Sequence, residues 1–355
     1  EEMVDKTATK FFEPPQLKVF DSLPNDECNT SIDEDFVPQV AATSADQILQ
    51  NQADWSNSAV SRIRRHCFAA WPEETGQKAP RISGTAPVTT NIGSTDKPEH
   101  VHGLRLQFVS EPFVPLSADI YFSKTADDKD GNGSNGDAQL KTVKQFTLLV
   151  MDDQQWSRYA ALSTDSGSGS SDAERSSAAP AASSEFQQQL KDLQSGIDAA
   201  LVVFCPRGIG PHRWVGDERK QIQIRRRFQL IGATADGMRV FDILRAVRTL
   251  HTACPNTQNI SLSASGTSDW LTLAAAVFAP KVNSVTVRDL PTERDQLPEW
   301  LNFDRIFTFP ELLALAMHRC TVTAESDDNS IMEPANVLAA DRRWTGRTVV
   351  EAGER

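Results

Sequence analysis

The sequence predicts a doubly wound α/β fold, in which a mostly parallel sheet carries helices on both faces. Short apolar runs without polar alternation recur after residue 199, the pattern of strands that are buried on both sides. Amphipathic helical stretches separate these runs, as parallel strand connections require. With 355 residues, of which 39% are hydrophobic, the chain can form one large core with additions.

Composition and charge exclude several classes of protein. The net charge of −12 opposes broad capture of nucleic acid, which needs a basic face. There is no apolar run of about 18 residues, so we expect no contact with a membrane through a spanning helix. No Cys-x-x-Cys pair occurs, and we expect neither a metal nor a cofactor. The five cysteines are scattered and should be small buried hydrophobic residues: Cys28, Cys67, Cys205, Cys254 and Cys320.

The first hundred residues predict an N-terminal helical and extended segment. Residues 1–16 are expected to be the end helix of a preceding domain or a linker, because an amphipathic stretch is halted by Pro14 and Pro15. Residues 17–100 are expected to pack on the core as extended chain, with helices over 43–70, where Ser44 can cap the first.

Residues 101–340 form the predicted α/β domain, followed by a C-terminal tail at 341–355. Strands are expected over 101–124. Two polar insertions are expected to be disordered. The first, 125–139, is rich in Gly, Asp and Asn but lacks the spacing and terminal Glu of a calcium loop. The second, 163–184, is almost entirely Ser, Gly, Ala, Asp and Pro.

The rest of this domain alternates strands with helices. The predicted strands cover 145–151, 199–205, 259–263, 284–287 and 320–324, and the predicted helices cover 185–195, 235–250, 270–278 and 310–317.

In such a sheet, ligands bind at the carboxyl ends of the strands. The loop 206–214 follows one strand and contains Gly208 and Gly210, but neither phosphate-binding glycine motif is present. We therefore expect a tight loop beside a cleft, with His212 as a packing residue.

The turn after strand 259–263 is where a hydrolase nucleophile would lie, on a sharp bend between strand and helix. Two registers are open. In one, Ser265 takes the nucleophile position, with Ser263 and Thr267 in place of the flanking glycines. In the other, Gly266 takes it, and no nucleophile is present. The predicted strand and helix boundaries favour the second register.

The remaining parts of a catalytic triad are incomplete. A triad acid would follow a late strand, where Asp289 and Asp327 or Asp328 stand. In this architecture the histidine comes last in the chain, yet the last histidine is His318. The loop that should stabilise an oxyanion begins Asp152-Asp153, whose charges would repel one. The sequence therefore predicts a catalytically degenerate domain.

Five segments together resemble the acetyl xylan esterase-like proteins of the α/β-hydrolase superfamily that are common in planctomycete-type bacteria. These segments are LKVFDSLPNDECNTSIDEDFVP, VVFCPRGIGPHRW, FQLIGATADGMRVFDILRAVRTL, LTLAAAVFAPKVNSVTVRDLPT and FPELLALAMHRC. The resemblance implies an N-terminal hydrolase domain in the same polypeptide as partner, contact with polysaccharide, and a secreted or periplasmic location. It also implies that Gly266 stands where an active relative has serine.

Two other functions stay open. One is a working carboxyl-ester hydrolase that deacetylates polysaccharide, with Ser265 as nucleophile, Asp327 as acid and an earlier histidine such as His212 as base. The other is a carbohydrate-binding or scaffolding module that uses exposed tryptophans, for which Trp214, Trp270 and Trp300 are candidates.

Overall fold

The structure is a computed structural model. It describes residues 14–17, 20, 22, 40–73, 78–94, 97–123, 136–162, 186, 189–193, 198–279, 281–326 and 329–346. The chain divides into two units, Glu1–Gln39 and Val40–Arg355. In the first unit, Pro14–Leu17 forms one turn of 3₁₀ helix. Everything below concerns the second unit.

Eight strands form one sheet in the order β1-β2-β3-β5-β4-β6-β7-β8. The first three strands and β5 pair antiparallel, whereas the run from β5 to β8 is parallel throughout. Their bounds are β1 Arg81–Ser94, β2 Lys97–Glu111, β3 Val114–Phe122, β4 Gln145–Val150, β5 Ala199–Phe204, β6 Asn259–Ser265, β7 Val282–Arg288 and β8 Thr321–Ala324. The mostly parallel sheet predicted from the sequence is confirmed.

The helices cover both faces of this sheet. They are α1 Ala45–Gln50, α2 Gln52–His66, α3 Gly136–Thr142, α4 Asp153–Leu162, α5 Glu218–Leu230, α6 Ala235–Ala253, α7 Asp269–Phe278, α8 Phe303–Ile306, α9 Phe309–Arg319 and α10 Asn329–Ala340. Two cores result. Leu148 of β4 packs in the larger core with α2, α6, α7 and α9. Its neighbour Leu149 faces the smaller core, with α4 and Phe186.

The structure differs from the sequence-based expectations at several elements. Strand β1 lies inside the segment expected to be extended and helical, and helix α5 was not predicted at all. Residues 136–139 belong to α3, although they were expected in a disordered loop. The expected end helix at 1–12 and the insertion at 163–184 lie outside the described residues.

The described cysteines belong to the buried core. Four of the cysteines are buried and free, as expected: Cys67, Cys205, Cys254 and Cys320. Cys28 lies outside the described residues. Among the helices that the structure describes, none has the length and apolar character needed to cross a membrane.

Candidate functional site

A cavity of about 460 Å³ opens at the carboxyl ends of β4, β6 and β7. Its floor is the turn after β6, and one wall is the inner face of α4. Its polar lining includes Asp152, Gln154, Gln155, Arg158, Tyr159, Gln189, Ser263, Ser265, Asp289 and Gln296. The cavity therefore lies where ligands bind in open α/β sheets.

Gly266 is the residue at the tip of the turn between β6 and α7. Ser265 ends the strand in an extended conformation, with φ −151° and ψ 144°. Gly266 follows with φ +69°, a left-handed conformation that glycine adopts without steric cost. In a hydrolase elbow the strained tip position carries the nucleophile. The geometry thus supports the second register from the sequence, in which the tip has no side chain.

A carboxylate lies in front of this tip. A carbon atom added to Gly266 as Cβ would be 3.3 Å from Asp152 Oδ2. Asp152 is held there by two contacts: its Oδ1 accepts from the Gln155 backbone N–H at 2.8 Å, and its Oδ2 accepts from Thr267 Oγ1 at 3.3 Å. Negative charge therefore lies beside the position where an ester oxygen would develop charge in acyl transfer, which opposes that chemistry.

Ser265 borders the cavity, but its partner is a carboxylate. Its Oγ donates to Asp289 Oδ2 at 3.4 Å, a long hydrogen bond. Asp289 is exposed and adopts φ +60° directly after β7. A serine hydroxyl acts as a nucleophile when a base takes its proton, and histidine is the usual base near neutral pH.

No histidine lines this cavity in the part of the chain that the structure describes. His212, the base in the esterase alternative, lies in a short 3₁₀ turn, and its Nε2 accepts from the Ser117 backbone N–H at 3.2 Å. Burial lowers the pKa of its imidazole. His318 lies near the end of α9 and packs against Trp344. The proposed acid Asp327 lies outside the described residues.

The sequence reasoning missed Asp269, the first residue of α7. Its side chain is fully buried beneath the turn. Burial raises the pKa of its carboxyl well above the ordinary value, and repulsion from Asp289 and Asp152 raises it further, while backbone groups of Arg288 and Gly266 oppose the shift. The only signal in the sequence was an acidic residue at the start of an otherwise apolar helix.

The sequence reasoning also missed a buried network behind the cavity wall. Asp119 on β3 accepts two bonds from Arg105, at 2.6 and 3.0 Å, and one from the Tyr159 hydroxyl at 2.7 Å. The hydroxyls of Tyr159 and Tyr121 lie 2.6 Å apart. These are the two tyrosines of the chain, and only Tyr159 reaches the cavity. The network fixes the ring of Tyr159, because each polar group has a partner.

A second buried cluster holds the loop that follows β5. Arg207 donates to both oxygens of Asp242, at 2.7 and 2.8 Å, and pairs with Glu111. Burial lowers the pKa of the guanidinium, but the attraction of Asp242 and Glu111 outweighs burial and raises it above the usual value. Gly208, with φ +73°, lets this loop pass against the ring of Trp214. The tight loop expected here is confirmed.

The tryptophans do not offer an exposed binding platform. Trp270 is fully buried, and its Nε1 donates to the Pro291 carbonyl at 2.8 Å. Trp300 is buried among aromatic rings, and Trp214 is half-buried against Phe228. The expectation of exposed aromatic side chains was therefore wrong for Trp270 and Trp300, because both serve the larger core.

No protein-family model matches the chain, and no curated protein matches it either. Among solved structures, a Bacteroides fragilis protein assigned provisionally as an acetyl xylan esterase is 10% identical, with a TM-score of 0.59 over 94% of this chain and 84% of that one. A glucuronoyl esterase from Solibacter usitatus is 13% identical, with a TM-score of 0.48 over 90% of this chain and 94% of that one. An acetyl xylan esterase from Thermoanaerobacterium is 12% identical, with a TM-score of 0.42 over 89% of each chain.

Only the first of these backbones is close enough to bear on the fold. Its TM-score of 0.59 over 94% of this chain indicates a shared backbone fold. The chain has the α/β-hydrolase fold.

Proposed function

We propose that this chain is a non-hydrolytic α/β-hydrolase-fold domain, which binds a polyhydroxy ligand such as polysaccharide in its cavity and acts beside a catalytic domain. One observation carries the proposal: the tip of the turn after β6 is Gly266 at φ +69°, so the nucleophile position has no side chain. The resemblance of the sequence to two-domain esterases suggests that the catalytic partner precedes it in the same polypeptide.

The lining of the cavity supports a sugar-type ligand. Amide side chains, such as Gln155 and Gln296, both donate and accept hydrogen bonds, as hydroxyl groups of sugars require. Arg158 adds donors on the wall formed by α4, where the ring of Tyr159 and the apolar side chain of Leu162 also lie. Phe186 adds a further apolar surface to the lining. A few polar groups on a partly apolar wall are typical of ligand pockets.

A second candidate function is ester hydrolysis with Ser265 as nucleophile. It is favoured by the position of Ser265 on the cavity floor and by the contact of its Oγ with Asp289. The provisional assignment of the Bacteroides fragilis protein as an acetyl xylan esterase also favours it. As predicted from the sequence, it requires a histidine base, and no histidine among the described residues lines the cavity.

Hydrolysis of an aryl acetate separates the two functions. We expect the wild-type chain and the Ser265→Ala variant to release the aryl alcohol at the same rate, because neither has an activated serine. Ser261→Ala is the matched control, since Ser261 lies on the same strand, bonds Ser284 and does not line the cavity. Turnover that Ser265→Ala abolishes and Ser261→Ala preserves would establish the esterase instead.

Retention on insoluble xylan tests the binding half of the proposal. We expect the wild-type chain to be retained and Arg158→Ala to bind at least tenfold more weakly, a loss of about 1.4 kcal/mol. Arg65→Ala, an exposed arginine on α2, should bind like the wild type. If the wild type is not retained, or if both variants bind equally well, the cavity is not the site for this glycan.

A further inference from the structure

One face of the molecule carries an exposed basic helix that the proposed function does not use. Helix α5, Glu218–Leu230, has no buried residue along its 13 positions. It is anchored to Trp214 by two contacts along its length: Gln221 Nε2 donates to the Trp214 carbonyl at 2.8 Å, and Phe228 packs on the Trp214 ring. A helix of this kind is normally stabilised by burying one face.

The helix and its flanks, residues 213–231, are strongly charged. Six basic side chains and two acidic ones give a net charge of +4, in a chain whose total is −12. All six basic side chains are exposed: Arg213, Arg219, Lys220, Arg225, Arg226 and Arg227. Within the described part of the chain, no ion pair joins any of them to a carboxylate. We call residues 213–231 the basic surface.

Large apolar side chains are exposed on the same surface. Val215 is 92% exposed, Leu230 85% and Ile231 73%, and Ile222 is also exposed. Isolated exposed apolar residues are ordinary, but four within 17 residues are a sign of an interface. Arginine outnumbers lysine five to one here, which matches protein interfaces, where arginine is enriched and lysine depleted.

The arrangement of these side chains favours a protein partner over a lipid surface. A membrane-surface helix needs one continuous apolar stripe. On α5, Ile224 and Phe228 are half-buried on one side, whereas Ile222 and Leu230 lie on the other, among arginines. The mixture of charged and apolar groups suits an interface with an acidic protein face.

This chain itself carries such an acidic face. The loop after β7, residues 289–299, contains four exposed carboxylates and one exposed arginine, a net charge of −3. The carboxylates are Asp289, Glu293, Asp295 and Glu299. This loop begins at the carboxyl end of β7, and α5 follows the loop at the carboxyl end of β5. Because β5 and β7 are parallel, both surfaces lie at the same edge of the sheet.

We propose that two copies of this chain associate through this edge, with the basic surface of each copy against residues 289–299 of the other. A two-fold interface must be self-complementary, so each contact occurs twice. Here the basic surface of each copy would face the acidic loop of the other, which gives two equivalent attractive contacts. Homo-oligomers of this symmetry are the most common kind. The exposed apolar side chains supply the area that such an interface buries. The proposal rests on the charges and exposed side chains of the two surfaces, although Asp289 and Gln296 of the acidic loop also line the cavity.

Sedimentation of the purified chain tests the proposal directly. At about 100 µM, a concentration above the Kd of standard interfaces, we expect a dimer at about 0.15 M salt and partial dissociation at about 1 M salt, where charges are screened. Reversing charge on the basic surface (Arg225→Glu, Arg226→Glu and Arg227→Glu) should weaken the dimer about 100-fold. Reversing charge on the loop (Glu293→Lys, Asp295→Lys and Glu299→Lys) should do the same.

Mixing the two reversed variants provides the decisive arm. In the mixed pair, glutamates of one copy face lysines of the other, while the native arginines face the native carboxylates. Two monomeric variants should therefore form a heterodimer at equimolar ratio. Arg65→Glu with Arg342→Glu, exposed sites elsewhere, is the control for added negative charge. A monomeric wild type, or variants that dimerise separately, or folded variants that fail to pair when mixed, would each overturn the proposal.

Discussion

At the scale of single residues, the proposed non-hydrolytic function rests on Gly266. Its φ of +69° is easy for glycine and costs an L-residue roughly 1–2 kcal/mol. Enzymes with a nucleophile at such a tip hold the strain because the surroundings favour it. Here the surroundings contain the carboxylate of Asp152, 3.3 Å from where a Cβ would be. The missing side chain at Gly266 and the carboxylate of Asp152 in front of it are both unfavourable for acyl transfer at this turn.

Asp269 makes stability depend on pH in a way that a substitution can expose. The pKa of Asp269 is higher in the folded chain than in the unfolded chain. The stability that the protonated carboxyl contributes is therefore fully present below the pKa of the unfolded chain, and it is lost as the pH rises through the pKa of the folded chain. Asn has the same shape and cannot ionise. We expect Asp269→Asn to unfold at the same urea midpoint as the wild type near pH 4, and at a higher midpoint near pH 8.

Asp198→Asn is the matched control, since Asp198 is a partly exposed carboxylate that pairs with Lys144 at the surface. Its effect should be below about 1 kcal/mol. If the difference in urea midpoint between Asp269→Asn and the wild type stays constant across pH, ionisation of the buried carboxyl does not destabilise the fold.

At the scale of elements, the sequence predicted the well-buried strands and helices and missed elements with little burial. Strands β4 and β5 are buried along most of their length and are apolar runs in the sequence, so the sequence predicted them. Strands β6 to β8 alternate buried apolar residues with half-buried polar ones, which is also a strand pattern. Strand β1 pairs with β2 alone, contains Gly and Pro, and has neither an apolar run nor a regular alternation, so it lacked that signal. Helix α5 has no fully buried residue, and its apolar side chains lie on two sides, so its sequence shows no single apolar face.

Prediction of the candidate site from the sequence was limited by the position of one strand end, that of β6. The predicted strand ended at 263, whereas β6 runs to Ser265, and a shift of two residues decides which residue occupies the turn. Strand ends depend on contacts with the next elements, here the pairing of Ser265 with Arg288 on β7. Local sequence does not contain that information. The sequence favoured the second register from its predicted boundaries, and the backbone supports the same register through the φ of +69° at Gly266.

The start of α9 provides a prediction for an element. Thr308 and Glu311 form a reciprocal cap, and Glu311 Oε1 also accepts from the Thr43 backbone N–H at 3.0 Å. We expect Thr308→Ala to lower the free energy of unfolding by about 1 kcal/mol. Thr252→Ala, on the exposed end of α6, should change it by less than about 0.5 kcal/mol. Equal effects in urea unfolding would show that the cap does not stabilise α9.

At the scale of the whole molecule, the features proposed to be functional lie at the edge of the sheet formed by the carboxyl ends of the parallel strands. At this edge lie the cavity, the turn at Gly266, the basic surface and the acidic loop. This edge is the place where α/β-hydrolase-fold proteins bind ligands. Under the proposed function, the domain binds its ligand through this cavity without a serine nucleophile at the turn.

Labelling with a fluorophosphonate probe, followed by mass spectrometry, tests most directly whether the turn after β6 lacks an activated serine. The reagent forms an adduct with a serine hydroxyl that a base has activated. We expect the folded chain to gain no more label than the heat-denatured chain, with no adduct on the peptide containing Ser265. A stoichiometric adduct on Ser265, lost on denaturation, would contradict the non-hydrolytic assignment.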